Sequence, residues 1–298
     1  MFPFYRFSMK YSLGTHDGTF HADEVTACAL LSLFNLIDIN KVVRTRDPEI
    51  LKDCEYVCDV GGIYDEDLKK FDHHQVSYQG ELSSAGMVLK YLHHQNHLSD
   101  KEYQLFNNSL IRGVDAFDNG RVVGNLGYCS FSHIISNFLP IEHNISKEEM
   151  DKAFFEAVAL TYGHLKRLLA RHQYNISCRG LVEESMKKYT ECLFFDQSIP
   201  WMESFFELNG LDHPARFIIM PTGNHWKLRG IPPSYEEKIK VREPLPKKWE
   251  GLLENELQEV TGIEGAIFCH KGRFISVWKT KEDAIKAFEL LKEERKKS

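Results

Sequence analysis

The sequence predicts an α/β protein, a mostly parallel sheet flanked by helices, followed by a second, smaller α+β domain. Short apolar runs alternate with segments of helical period through the first part of the chain, the rhythm of strand–helix–strand units. Three polar clusters, at residues 15–24, 57–62 and 71–75, each stand at the end of such a run, and parallel sheets gather ligands beyond the carboxyl ends of their strands. A length of 298 residues exceeds the commonest size of a single core, so two domains are expected, placed at residues 1–189 and 190–298.

Residues 5–13 alternate weakly and read as the first strand, ending at Gly14. A polar turn leads to Glu24, after which Val25, Ala29, Leu30, Leu33 and Phe34 line one side of a helix. Val42-Val43 centres a second short strand, and Asp47-Pro48-Glu49 starts a helix with proline at an early position, where its missing N–H does no harm. Residues 56–60 form an apolar strand that delivers Asp59 near its end, and Gly61-Gly62 releases the chain into a turn. Phe71 ends one more short extended segment. Ser83 opens a helix that reaches His94, and residues 102–112 form another that runs into a glycine-bounded loop bearing Asp115 and Asp118. Residues 131–139 look helical, and 147–172 make the longest amphipathic run, with 182–188 continuing or following it. Beyond Thr190, strands are expected over 192–195, 217–220, 225–231, 266–270 and 273–278, the last two as a hairpin, before a final helix capped by Thr280.

Composition narrows the function classes. Apolar content of 43% with 27% charged residues describes a globular chain rather than a disordered one. No run approaches the roughly 18 apolar residues of a membrane span, so no membrane partner is expected, and the first residues lack the apolar core of a secretion signal. A net charge of −6 argues against bulk coating of nucleic acid but allows a grip on a short phosphodiester end. Seven cysteines, mostly inside apolar runs, read as buried free thiols in a reducing compartment. Walker-type, His-Glu-x-x-His, dinucleotide-glycine and Gly-x-Ser-x-Gly motifs are missing from the sequence.

The polar clusters supply a metal chemistry. His16, His21 and Asp23 share one turn, Asp59 stands alone at a strand end, and Asp72, His73 and His74 close the third cluster. Together they offer enough oxygen and nitrogen for two divalent cations with a shared carboxylate, a device that activates water and grips phosphate. Asp59 suits the bridge; His16, His21 and Asp23 divide between the ions, and Asp72 and His73 approach the same centre. Asp115 follows an apolar helix directly and is preferred to Asp118 for completing the second ion's ligands. Mixed nitrogen and oxygen donors put manganese first, with magnesium, iron, cobalt and zinc as alternatives. His74 is left for the substrate, as a positive charge or a proton donor, while Asp17 and Glu24 either orient a ligand histidine or lie at the surface. Ser83 and Ser84 can cap a helix whose amides also receive a phosphate. In the second domain Arg229, Arg242, Lys247, Lys248, His270 and Arg273, with Trp226 and Trp249, combine cations that hold phosphates with aromatics that stack bases; at least one of the tryptophans is expected in the core.

Gly-Thr-His-Asp-Gly-Thr-Phe-His-Ala-Asp-Glu at 14–24, Asp-Val-Gly-Gly at 59–62, Phe-Asp-His-His-Gln at 71–75 and Ser-Ser-Ala-Gly at 83–86 resemble motifs of the DHH phosphoesterase superfamily. The resemblance is closer to the MYG1 family, also called UPF0160, and resumes at 245–252 and 265–270. It implies a DHH-phosphoesterase-like first domain holding the metals and a second domain that grips substrate. Motif on motif, it implies metal ligation by His16, Asp23, Asp59, His73 and Asp115, with His74 next to the phosphate; His21 stands about where the wider superfamily has an additional Asp. The activity implied is a 3′–5′ exonuclease acting on single-stranded RNA or short oligonucleotides through a hydroxide held between two metals. Hydrolysis of a small phosphorylated molecule such as pyrophosphate is the alternative, and a non-catalytic binding module stabilised by metal is another. The location expected is the cytoplasm in a bacterium, or the nucleus or mitochondrion in a eukaryote; a homo-oligomer is left open.

Overall fold

Leu13 and its neighbours seed the first sheet. In the computed structural model, which describes residues 9–122, 126–142 and 144–297, β1 (Tyr11–Thr15) lies between β2 (Val42–Arg44) and β3 (Cys54–Cys58), parallel to both. β4 (Tyr64–Asp65) and β5 (Lys70–Phe71) form a short antiparallel pair, and β5 joins β3 in parallel, giving the order β2-β1-β3-β5-β4. A two-residue strand carries no period, which is why the antiparallel edge is missing from the sequence expectation. The strand expected over 5–13 begins at Tyr11; Tyr5 to Ser8 lie outside the described residues.

The helices of this unit are α1 (Ala22–Leu33), α2 (Pro48–Leu51), α3 (Ser84–His94), α4 (Asp100–Phe106), α5 (Arg112–Asp118) and α6 (Phe131–Ser136). The His21 N–H donates to the Glu24 carboxylate at 3.0 Å to start α1, and the Asp47 carboxylate accepts the Glu49 N–H at 2.9 Å to start α2. Val25, Leu30, Val88 and Phe106 pack with Leu13, Tyr56 and Phe71 in one large core, while Leu51, Val57 and Val60 make a small separate cluster. Residues Asn107–Ile111 form π turns, so α4 and α5 join into one rod. The loop expected around Asp115 is therefore helix. Gly113 has open space where a side chain would sit, and buried Val114 and Asp115 anchor the run past it.

α7 (Lys147–Lys188) is a single 42-residue helix that includes 182–188. The chain divides into two units, one up to Ala170 and one from Arg171, so the division falls inside α7 and not at 190. The physical reason is packing: Cys178 and Val182 sit among Trp201, Phe205 and Ile218. This second unit is built on β6 (Cys192–Phe194), α8 (Met202–Glu207), β7 (Phe217–Thr222), β8 (His225–Gly230), α9 (Glu254–Thr261), β9 (Ala266–Cys269), β10 (Ile275–Trp278) and α10 (Lys281–Lys297). Its sheet runs β6-β7-β8-β10-β9, with β6 and β7 parallel and the other pairs antiparallel. Alternation along β7 feeds two cores: Phe217 and Ile219 join Leu228, Trp249 and Trp278, whereas Ile218 and Met220 join Trp201 and Phe205. The whole is a mixed α/β chain with two sheets. Among the described residues no helix is long and apolar enough to cross a membrane.

At Gly14 β1 lies close against the start of β3 and the end of α2: a Cβ there would lie 2.8 Å from both Cys54 Sγ and Leu51 Cδ2. Gly14→Ala is expected to destabilise the protein by about 1–3 kcal/mol through overpacking. Urea unfolding checks this, and an unchanged midpoint would contradict the packing described.

Candidate metal centre

Three neighbouring parallel strands deliver the site. His16 follows β1, Asp59 follows β3, and Asp72, His73 and His74 follow β5, so the order β1-β3-β5 brings all of them to one end of the sheet. Asp59 is central. His16 Nε2 lies 3.2 Å from its Oδ2, and His73 Nε2 and His74 Nδ1 each lie 3.4 Å from its Oδ1. Asp59 adopts the left-handed backbone, φ 58°, which Asp and Asn tolerate better than most residues. Its N–H still donates to the Phe71 carbonyl at 3.0 Å, so pairing with β5 persists to the point where the carboxylate is presented.

Around this centre Glu24 Oε1 stands 3.0 Å from His16 Nε2, and Asp118 Oδ2 and Asp23 Oδ2 stand 3.1 and 3.8 Å from His73 Nε2. The side chains fall into three linked groups able to hold a divalent metal: His16, His21, Glu24 and Asp59; Asp59, His73 and His74; and Asp23, His73 and Asp118. Asp59 joins the first two groups and His73 the last two. Two buried atoms at this junction, Asp59 Oδ1 and His73 Nε2, have no hydrogen-bond partner. Asp118 Oδ2 lies 3.1 Å from His73 Nε2 as a charged neighbour and not as a hydrogen-bond partner. Buried polar atoms are rarely left so, and a cation between them removes the cost.

Charge gives the same picture. Burial opposes a proton on His16, but the Asp59 and Glu24 carboxylates outweigh it and hold the imidazolium up to about 10. His73 is held at about 10 in the same way, burial being overcome by Asp118 and Asp59. Burial would raise the Asp59 carboxyl, yet His16 and His73 keep it well below the usual carboxylate range. Asp23 is pushed up, first by burial and then by Asp59 and Asp118. The pocket therefore holds surplus negative charge, for which protons or a metal can compensate.

Asp23 and Asp115 also close on the amino terminus of α3. Asp23 accepts from the Ser84 and Ala85 N–H groups at 3.0 and 2.6 Å, and Asp115 Oδ1 accepts from the Ser83 and Gly86 N–H groups, each at 3.1 Å. Gly86 is obligatory for this approach, since a Cβ would lie 2.4 Å from Asp115 Oδ2. The Ser83 hydroxyl lies 2.5 Å from Asp23 Oδ1 and 2.7 Å from Asp115 Oδ1. One hydroxyl has one proton, so a shared arrangement of this kind needs a proton on one carboxyl, and burial raises both.

Several expectations are thereby corrected. Asp115 serves α3, and Asp118, three residues on along the same helix face, is the carboxylate that reaches His73. The wrong choice came from ending the helix at Arg112. Ser83 and Ser84 are fully buried and not open to a substrate; Ser84 Oγ donates to the Phe71 carbonyl at 2.6 Å. Asp72 falls in none of the three groups: it accepts the Gly62 N–H at 2.6 Å and contacts His74 Nδ1 at 2.8 Å. Of the two readings of Glu24 the surface one fails: it is buried, 3.0 Å from His16 Nε2, and joins the first ligand group. Arg46 was missed, although it lies two residues past β2, at a strand end like the other clusters. Its Nε is 3.4 Å from Asp17 Oδ1, and it lines a pocket of about 570 Å³ with His16, His21, Asp59 and His74.

In the second unit, Arg242 is bound to carbonyls: its Nη atoms donate to Gly210 at 2.5 Å, His213 at 2.6 Å and Ala215 at 2.9 Å, so it braces a loop and is not free for phosphate. Lys248 pairs with Glu294 at 2.5 Å, and Arg273 lies 3.7 Å from a Glu250 oxygen. His270 Nδ1 accepts the Gly272 N–H in the β9–β10 turn. Lys247 is exposed and Arg229 half-buried on β8. Trp249 is core, fully buried against Trp278.

A MYG1 protein of Chlamydia trachomatis is 52% identical over 285 residues, covering 95% of this chain and 98% of that protein. The MYG1 exonuclease of Homo sapiens is 31% identical, covering 92% of this chain and 83% of that one. Among solved structures, RecJ of Thermus thermophilus in complex with Mn2+ aligns over 94% of this chain and 52% of its own, with 11% identity and a TM-score of 0.26, a level that assigns no fold. Residues 12–290 match the family described as "Uncharacterised protein family (UPF0160)", and with these relatives the chain belongs to the MYG1 (UPF0160) family.

Proposed function

We propose that this protein is a metal-dependent phosphodiesterase of DHH-phosphoesterase architecture that removes nucleotides from the 3′ end of single-stranded RNA or short oligonucleotides. The observation that carries the reading is the junction of three ligand groups at Asp59 and His73, with a buried oxygen and a buried nitrogen lacking hydrogen-bond partners. The exonuclease named among the human relatives supports the nuclease class, and the family resemblance supplies the polarity. A pocket of about 570 Å³ suits one terminal nucleotide, and it would equally admit pyrophosphate, the second reading.

His16, Glu24 and Asp59, with His21 beside them, would hold one cation, and Asp59, His73, Asp23 and Asp118 the other; manganese is favoured because carboxylates mix with imidazoles. Bound there, the ions would make water a nucleophile at neutral pH and offset the charge of the phosphate oxygens. The chain itself does the rest. Arg46 offers its guanidinium to a phosphate oxygen that does not react. Asp72 holds His74 at Nδ1, which orients the ring and leaves Nε2 to pass a proton to the departing ribose oxygen.

Asp59→Asn keeps a residue suited to the left-handed backbone while removing the charge. Metal content should drop and turnover fall by at least about 100-fold; elemental analysis and rates unchanged from wild type would sink the shared-carboxylate site. Arg46→Ala should weaken oligonucleotide binding and lower the slope of log affinity against log salt by about 1, with bound metal unaltered. A salt slope that does not move would remove Arg46 from the substrate's path. With manganese and end-labelled single-stranded RNA, products should shorten one nucleotide at a time from the 3′ end. Rapid pyrophosphate hydrolysis beside intact RNA would transfer the assignment to the small substrate, and internal fragments would make the enzyme an endonuclease.

A further inference from the structure

β8 carries two cations whose surroundings leave their charge unbalanced. Lys227 and Arg229 are two residues apart and so share a face of the second sheet, opposite Met220 and Ile218 on β7. That face belongs to the core containing Trp201 and Phe205, and both cations are half-buried on it. Among the described residues neither forms an ion pair with a carboxylate. Arg229 Nε is buried without a hydrogen-bond partner, and its Nη2 reaches the Lys238 carbonyl only at 3.4 Å. Burial makes the charged form of both less favourable, and for Lys227 the neighbouring Arg229 adds to it.

The two side chains open into a pocket of about 500 Å³ within the second unit, whose apolar wall is Pro200, Trp201, Met202 and Met220. Lys238 stands at its rim, its ammonium 4.1 Å from the centre of the half-exposed Tyr235 ring. Glu203 is the one carboxylate of the lining; it accepts the Asn175 amide N–H at 2.7 Å and pairs with neither β8 cation, so three cations face a single negative charge. A half-buried pair of like charges is unfavourable unless something of opposite sign completes it. Alternate positions on a strand lie roughly 6.6 Å apart, a spacing that brackets a tetrahedral anion, and the guanidinium fork matches phosphate oxygens. The volume far exceeds a bare phosphate, and the apolar wall suits a sugar and base.

We propose that this pocket is a nucleotide-binding site, with Lys227 and Arg229 gripping the phosphate group, Lys238 closing its rim and Trp201, Met202 and Met220 facing the nucleoside. That the ligand is a nucleotide rests on the phosphodiesterase reading above; that the site takes an anion rests on β8 alone. The test uses the full chain with a chelator present, which removes metal-dependent binding at the first unit, and the β8 variants then isolate the second pocket, so failure of one reading leaves the other standing. Adenosine 5′-monophosphate is the probe and thermal unfolding the readout. Saturating nucleotide should raise the unfolding temperature of the wild type by roughly 3 °C or more, and of Lys227→Met/Arg229→Met by less than a third of that. Without nucleotide the double variant should unfold at the same or a higher temperature than wild type, because a like-charge pair has gone. The single variant Lys227→Gln, a smaller change, should weaken binding at least tenfold by titration calorimetry. Equal shifts in wild type and variant, no shift in wild type, or the same shift from sodium chloride at matched ionic strength would each overturn the proposal. So would an equal shift from inorganic phosphate, which would reduce the site to a bare anion hole.

Discussion

Negative charge gathered where water is scarce governs the first unit. Asp23, Glu24, Asp59, Asp72 and Asp115 are each exposed by 5% or less, and they converge from β3, β5, α1 and α5. Carboxylates in such a place must be met by donors or cations, or they give up their charge. The fold answers in three ways. Backbone N–H groups at the start of α3 serve Asp23 and Asp115, the turn after β3 serves Asp72 through the Gly62 N–H, and the imidazoles of His16 and His73 serve Asp59. What those leave uncompensated is the surplus that suits a divalent ion.

The division between carboxylates that build and carboxylates that can ligate runs through single residues. Asp23 does both, with backbone donors on its oxygens and an approach to His73. Arg44 shows how the surrounding turn is kept in place. It is buried, donates to the Gly18 carbonyl at 2.5 Å and to Asp151 at 2.9 Å, and lies over the Phe154 ring. The loop carrying His16 and His21 is thus tied to α7 as well as to the sheet, so its geometry is set before any ligand arrives.

Much of this could be read from the sequence, and the remainder fails for identifiable reasons. Strand ends were visible because apolar runs stop abruptly at Asp59 and at Asp72, and a parallel sheet gathers such ends. Glycine at 113 misled, since local propensity is weaker than the tertiary contacts of Val114 and Asp115, and the misplaced helix end exchanged the roles of Asp115 and Asp118. Ser83 and Ser84 had the composition of a phosphate-binding helix start, but which partner a helix terminus meets depends on distant segments, here α1 and α5. Likewise nothing local reveals that Arg242 is enclosed by three carbonyls while Lys227 and Arg229 are not neutralised.

The π turns at 107–111 have a bearing on how this helix can vary. Phe106 is packed in the core at one end of the rod, and Asp118 stands beside His73 at the other. At about 100° per residue, the twelve steps between them would leave the two side chains roughly a third of a turn out of phase in a regular α-helix. Wider i→i+5 turns rotate the chain less at each step and so reduce that difference. Phase, not only identity, is therefore part of the site: the number of residues between Phe106 and Asp118 helps decide which side of the helix the aspartate faces. A chain that lost one residue here could keep every ligand in its sequence and still present a carboxylate to the wrong side of the helix.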